Sequence, residues 1–533
     1  MPGSMYEQLH NNLSRIIRDR HLHLLSGSKI GLEKESLRVD RDGKISQQAH
    51  PHALGSALTN PYITTDYSEA LLELITPPMQ GIPSTLEFLK KIHQFVYPRL
   101  GNESLWGTSM PCAVVGDESI PIADYGESNL GMMKTVYRRG LGYRYGKMMQ
   151  VIAGIHFNYS MQDGFWSYYH DVSGRALSLQ DFVSDRYFAL TRNLQRYGWL
   201  IYYLFGASPA VCKSFLSGQP GSLKQFDSIT YYLPYATTLR MGDIGYNNKK
   251  ESEIGIKACY DSVDSYIKCL ARAIETPFPE YERLGVKVDG EYRQLNANIL
   301  QIENEYYSTV RPKQPCAADE KPIHALGQRG VQYIELRSLD LDLFEPLGTS
   351  STQLHFLEAF MVFCLLQHSP LINTEERQAI DNNEINTAHH GRDPALRLTR
   401  GRKKISLQAW GREILCEMQG ICEALDELSH CDSYRDALRH QVELIEDPAL
   451  TPSAKVLHEM RTHKEGFFEI SSRYSEMHRN QLCKHPLGDQ DTEHFNNVVL
   501  QSVEKQRKIE ASDTVSFDEF LENYFRPSSP KKP

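Results

Sequence analysis

The segment Ile30–Val39, with the sequence IGLEKESLRV, constrains this chain more than any other stretch. As a β-strand it turns successive side chains to opposite faces, so Glu33 and Glu35 project together, about 6.6–6.8 Å apart. At an effective dielectric near 20, two such carboxylates repel by roughly 2–2.5 kcal/mol. A fold tolerates that at a solvated edge, or where cations sit between the charges. Taken alone, the pair reads as a solvated face. Its weight comes from repetition.

Several later segments carry the same alternation. Ile63–Pro77 (ITTDYSEALLELITP) sets Glu69, Leu71, Glu73 and Ile75 on one face if extended. Its first half also fits a helix, with Glu69 and Glu73 four apart, while the Leu-Ile-Thr-Pro ending favours a strand. Val151–Ser160 has Ile155, Phe157 and Tyr159 on an apolar face and His156, Asn158 and Ser160 on a polar one. A lone histidine there is usually a hydrogen-bonded structural residue. Leu300–Tyr307 groups Glu303, Glu305 and Tyr307, and Val331–Leu339 groups Tyr333, Glu335 and Arg337. These strands fit one concave antiparallel sheet, whose gathered charge needs cations to neutralise it. Oxygen-rich clusters suit Mg²⁺ or Mn²⁺, with histidine as an occasional ligand. Such ions bridge carboxylates to nucleotide phosphates, and an arginine beside them stabilises a migrating phosphoryl group. The pattern alone points to magnesium-dependent phosphoryl chemistry on a sheet, with the substrate undefined.

The rest of the chain narrows the class. A net charge of −9 over 533 residues offers no basic surface for nucleic acid. Ten cysteines without a CxxC pair fit a reducing cytosol. Cys483 with His478 and His485 lacks the second ligand pair that a zinc finger needs. Tyr6–Leu25 carries Arg15, Arg18, Asp19 and Arg20, so it reads as an amphipathic helix and not an export signal. The most apolar run, Trp199–Val211, is too short for a bilayer span and holds Gly206 and Pro209. The expectation is a soluble, cytoplasmic protein. Gly140–Lys147 resembles a phosphate loop, but it is off the dinucleotide spacing and Met148 replaces the Ser/Thr of a P-loop. Tyr231–Tyr246 reads as a loop carrying Arg240 and Tyr246, and Lys313–Lys321 as a surface loop. Helices are expected at Pro83 to about Tyr97 and over Asp185–Phe205, and they dominate from about Ser351 onward. Residues 1–350 then form a sheet core with an N-terminal helix, 351–526 a helical region packed on it, and 527–533 a disordered tail.

The motifs GLEKESLRV, ITTDYSEALLELITP, YGESNLG, KTVYRRGL, GIHFNYS, YLFGASPAVC, YYLPYATTLRMGDIGY, LQIENEYY and YIELRSLD run in order from about residue 30 to 350. Together they resemble those of the glutamate–cysteine ligases of proteobacterial type. The helical C-terminal third resembles the family more weakly. The resemblance implies an α+β, glutamine-synthetase-like fold whose antiparallel sheet presents a concave face to metal and ATP. It implies ATP-dependent joining of the glutamate γ-carboxylate to the cysteine amine, the first step of glutathione synthesis. Glu33, Glu35, Glu73, His156 and Glu335 match the metal ligands, and Arg337 the arginine near the transferred phosphoryl group. Glu335 and Arg337 are the expected catalytic pair. Tyr67, Tyr137, Arg138, Arg240, Tyr246 and Tyr307 match substrate-pocket residues. Tyr67 stands where related sequences can carry Phe. Mg²⁺ (or Mn²⁺) and ATP are the implied cofactor and co-substrate, glutamate and cysteine the small-molecule partners, and glutathione a feedback inhibitor. No long second module follows the helical region, which argues against the fused form carrying glutathione synthetase. The alternatives are a ligase of the same fold that joins glutamate to another amine, and a binding protein that has kept the fold without catalysis.

Overall fold

In a computed structural model of the chain, described here for residues 5–216, 221–245, 258–317 and 320–526, strand pairing explains where the charged rows go. The labelled elements are helix α1 (Glu7–Arg18), strands β1 (Lys29–Val39), β2 (Ile63–Thr65) and β3 (Leu71–Ile75), helices α2 (Ile82–Val96) and α3 (Asn129–Tyr145), strand β4 (Ile155–Ser160), helix α4 (Leu179–Phe205), and strands β5 (Val310–Lys313) and β6 (Tyr333–Leu339). The helical region follows as α5 (Ser351–Leu366), α6 (Thr374–His390), α7 (Leu407–Glu417), α8 (Gln419–Ser429), α9 (Ser433–Glu446), α10 (Pro452–His463), α11 (Phe467–Cys483), α12 (Asp489–Ser512) and α13 (Phe517–Phe525). The sheet runs β5-β6-β4-β1-β3-β2, every pair antiparallel, with Met79–Gln80 and Ser104–Leu105 as short additions to β1. This is an α+β fold.

Alternation divides the sheet into two faces. The back face carries Leu32 and Lys34 of β1, Phe157 and Tyr159 of β4, and Ile334 and Leu336 of β6, all buried. Helices cover it: the Tyr187 hydroxyl of α4 accepts from the Met161 backbone N–H just past β4, and His93 of α2 meets Lys34. α4 is buried on nearly all sides because it lies between this sheet and the C-terminal helices, bonding through Asn193 to the Cys364 carbonyl of α5 and through Tyr203 to the Leu444 carbonyl of α9. The largest apolar cluster therefore draws on both the sheet region and the helical region. Among the described residues no helix is long and apolar enough to cross a membrane.

Lys34 lies on that back face with its Nζ 3.1 Å from another base, His93 Nε2. Burial pushes its pKa down to about 7. Between about pH 7 and 10.4 the unfolded chain then holds a proton that the folded one lacks, so stability rises with pH across that window. Lys34→Met is expected to add about 1–2 kcal/mol at pH 7 and to flatten this rise. Urea unfolding at pH 7 and 9.5 checks both effects.

Four segments depart from the sequence pattern. Tyr6–Leu25 is a helix only as far as Arg18, followed by a 3₁₀ turn at Leu22–Leu25. Leu300–Tyr307 is not a strand: Glu303–Glu305 is a 3₁₀ turn, and Glu305 turns away from the sheet to a fully buried ion pair with Arg144 at 2.9 Å. Glu69 lies before β3, where it accepts from the backbone N–H groups of His50 and Asp124. Lys313 is not a loop residue but the last of β5. Cys112 and Cys212, 100 residues apart, form a disulfide with Cα atoms 5.4 Å apart, which cysteine spacing does not reveal. The tail at 527–533 lies outside the described residues.

Candidate active site

The front face of the sheet carries a transverse row of charge, set by register. On β1, Glu33 sits opposite His156 of β4, and Glu35 opposite Glu73 of β3. On the other side Glu335 of β6 sits opposite Asn158 of β4, and Arg311 of β5 opposite Glu335. Residues more than 300 apart in sequence thus become neighbours.

His156 is the hub. Its Nδ1 lies 2.9 Å from Glu33 Oε2 and 3.9 Å from Glu335 Oε1, and its Nε2 lies 3.6 Å from Glu35 Oε1. One ligand atom each from Glu33, Glu73 and His156 lie within 4.8 Å of one another. Asn158 Nδ2 donates to the other oxygen of Glu33, and the Gly154 backbone N–H to Glu35. Arg337 Nη1 stands 3.2 Å from Glu335 Oε1 and 3.4 Å from His156 Nδ1. The ladder between β6 and β4 shifts register between Leu336 and Leu339, and Arg337 lies in that irregular stretch.

The electrostatics are uneven along the row. Burial and the Glu33 charge hold Glu73 well above the usual carboxylate range. Burial also raises Glu35, against the attraction of His156. Glu33 is pushed up by burial but ends below its ordinary value because His156 hydrogen-bonds it. Glu335 is fully buried too, yet Lys313 and Arg337 together hold it low. Its second oxygen, Oε2, is buried with no hydrogen-bond partner. An ionised, half-satisfied carboxylate beside three oxygen and nitrogen ligands is a donor set that fits a hard divalent cation.

Neutralising one member tests this balance. Two carboxylates within 4.8 Å repel by about 3 kcal/mol at an effective dielectric near 20. A raised Glu73 binds its proton more tightly when folded, so stability falls as pH rises from about 4.5 toward that raised value. Glu73→Gln is expected to stabilise the metal-free protein at pH 7.5 by about 1–3 kcal/mol, and to shrink the further stabilisation by Mn²⁺. Thermal unfolding with and without Mn²⁺ measures both.

Of the residues that the resemblance matches to a substrate pocket, Arg240 meets this row through Arg337. Arg240, which the sequence pattern alone leaves in an exposed loop, is buried in the 3₁₀ turn Leu239–Met241. Its Nη2 donates to the Arg337 carbonyl at 2.9 Å, and its Nη1 lies 3.8 Å from the buried Asp340. Gly154 leaves room for it, since a Cβ there would come within 2.1 Å of the guanidinium. Arg138 of α3 donates to the Asp66 carbonyl and lies over the Tyr125 ring, 4.5 Å from its centroid. Tyr307 donates to Gln150 Oε1 at 2.8 Å. Tyr67 is buried against Gly142 with its hydroxyl unpartnered, and Tyr137 is half-buried at the junction of two apolar clusters. Tyr246 lies outside the described residues. The Gly140–Lys147 glycines sit mostly within α3, where Gly140 packs against Gln301, so they form no phosphate loop.

Three charged residues were not legible in advance. Lys313 Nζ lies 3.4 Å from Glu335 Oε1, and the Arg311–Lys313 alternation that would have placed it is interrupted by Pro312. Asp66 adds negative charge beside Glu35 and Glu73, one residue beyond β2. Asp340 accepts from the Ala207 backbone and the Thr238 hydroxyl and holds Arg240 from behind.

A family model described as glutamate-cysteine ligase matches residues 13–387. A glutamate–cysteine ligase of Alcanivorax borkumensis is 46% identical over 506 residues, 94% of this chain and 96% of its own length. One from Hahella chejuensis is 46% identical over 525 residues, 98% of this chain and 99% of its own. The solved glutamate–cysteine ligase of Francisella tularensis, in complex with AMP, superposes with a TM-score of 0.87 at 35% identity over 93% of this chain and 97% of that one. A bifunctional glutathione synthetase from Pasteurella multocida shares the fold at 23% identity and a TM-score of 0.72, over 92% of this chain and 58% of that one. Sequence and fold agree over most of the length, and the chain belongs to the glutamate–cysteine ligase family of enzymes.

Proposed function

We propose that this protein joins the γ-carboxylate of L-glutamate to the amine of L-cysteine, converting ATP to ADP and phosphate through a γ-glutamyl phosphate. The observation that carries the reading is the front-face row of Glu33, Glu35, Glu73, His156 and Glu335 with Arg337 beside it. In this reading residues 1–350 carry the chemistry, residues 351–526 buttress the back face, and the reaction runs in the cytoplasm with glutathione as a feedback inhibitor.

A carboxylate accepts an amine poorly because oxide would have to leave. Attack of a glutamate γ-carboxylate oxygen on the γ-phosphorus of ATP expels ADP and leaves an acyl phosphate, whose later leaving group is phosphate. The cysteine amine attacks the acyl carbon, loses a proton, and phosphate departs as the amide forms. Glu33, Glu35, Glu73, His156 and Glu335 would hold Mg²⁺ or Mn²⁺, which supplies charge neutralisation for the polyphosphate. Arg337 is poised to meet the transferring phosphoryl group and the oxyanion that follows. Glu335 orients Arg337 through their 3.2 Å contact. The tyrosines Tyr67, Tyr137, Tyr246 and Tyr307 shape the acceptor-amine side of the amino-acid pocket, with Arg240 and Arg138 supplying charge for substrate carboxylates.

The test is ADP release by purified protein with ATP, Mg²⁺ and L-glutamate, with and without L-cysteine. The reading expects strong stimulation by cysteine and a product at the mass of γ-glutamylcysteine. Glutamate-dependent release that cysteine leaves unchanged would redirect the search to another amine. Silence in a folded sample would leave only binding.

A further inference from the structure

The largest of the apolar clusters separate from the main core lies on α3. It consists of Met133 and Val136 of α3, Leu295, and Phe517 and Leu521 of the C-terminal helix α13. Tyr137 packs against both this cluster and the main core. One face of α3 is therefore supported differently along its length. Near its C-terminal end Arg144 is locked to Glu305 and Gln294. Its N-terminal half, with Met133 and Val136, packs against Phe517 and Leu521 of α13.

The grip of α13 and of the short segment leading into it is specific in its partners. The Asn129 backbone N–H at the start of α3 donates to Asp513 Oδ2, and Asn129 Nδ2 donates to the Val515 carbonyl at 3.0 Å. Asp518 takes Lys287 Nζ at 3.0 Å and the Tyr292 hydroxyl. Phe517 meets the Tyr292 ring edge-on at 5.1 Å, and Lys321 stands 5.5 Å over the Tyr524 ring. From Leu295 the contacts run inward: its backbone N–H donates to Gln301 Oε1, and Gln301 Nε2 donates to the Tyr137 carbonyl at 3.2 Å. Few side chains hold α13 itself, since only Phe517 and Leu521 are buried on it.

We infer that α13 is a positioning strap for the acceptor amino acid: by packing on the N-terminal half of α3 beside Tyr137 it sets where Tyr137 and the adjoining Arg138 stand. The inference rests on the proposed role of those two residues in the pocket. None of the contacts of α13 described above involves the strands that carry the carboxylate row, so the strap acts on amino-acid binding and leaves the phosphoryl chemistry alone. Displacement of a positioning group by about 1 Å is enough for a large loss of alignment.

The test uses the full chain with Phe517→Ala and Leu521→Ala combined, under saturating ATP, Mg²⁺ and glutamate. The expected result is a KM for cysteine raised about 10-fold or more, with kcat within about 2-fold and the KM for ATP unchanged. Phe517→Leu, which refills the contact, should recover most of the loss. Should the double variant fold poorly, Leu521→Ala alone reads the same split. An unchanged KM for cysteine, or a fall in kcat with every KM intact, overturns the strap. Tyr137→Ala separates the two levels. If it leaves the KM for cysteine unchanged, the pocket reading fails. If it raises that KM while the Phe517 and Leu521 variants do not, the strap alone is wrong.

Discussion

Glu33→Gln is expected to lower ATP-dependent turnover by about 10³-fold or more while the protein stays folded. Glu33 occupies the centre of the row, accepting from His156 on one oxygen and from Asn158 on the other. The amide keeps the shape and can still accept through its carbonyl, but it removes the charge and turns an N–H₂ toward His156 or Asn158. The loss therefore falls on cation binding and on what depends on it. Glu335→Gln should behave alike, with the difference that Lys313 and Arg337 then lose their shared anion. The measurement is kcat at saturating Mg²⁺ and substrates, with far-UV circular dichroism to show the fold and Mn²⁺ titration to show the lost site. Wild-type turnover in either variant would refute the assignment.

Arg337→Ala is the second large effect, a fall in kcat of about 10²–10³-fold with Mn²⁺ binding retained. The side chain has two jobs that the geometry separates. It is a cation at the edge of the row, 3.2 Å from Glu335, and it is one of the charges that hold Glu335 ionised against burial. Lys313 continues the second job in the variant, so metal binding persists while the first job is lost. Arg337→Lys should recover part of kcat, because a point charge replaces a planar fork. A kcat within about 5-fold of wild type in the alanine variant would remove Arg337 from the chemistry.

Alternation made the strands β1, β3, β4 and β6 legible, and with them the face on which Glu33, Glu35, Glu73, His156, Glu335 and Arg337 stand. The same rule misled at Leu300–Tyr307. There a short alternating stretch also fits a 3₁₀ turn, and the partner that decides the matter, Arg144, is 161 residues from Glu305. Arg240 misled in the opposite way, because a glycine-rich, irregular segment gives no sign that Asp340 and the Arg337 carbonyl await it inside. Lys313 ends a strand whose alternation with Arg311 is masked by Pro312, and Asp66 is a single charge just past β2.

The amino-acid sequence by itself determined which side chains share a strand face, because the two-residue repeat is a property of the local backbone. It also determined family membership, because long motifs in fixed order carry that information residue by residue. Only the tertiary structure decided that His156 faces Glu33, that Glu35 faces Glu73, that Lys313 completes the row and that α13 clamps α3. Those placements depend on strand register and on packing between segments hundreds of residues apart. Both are settled by hydrogen bonds and burial summed over the whole molecule, which no local pattern contains.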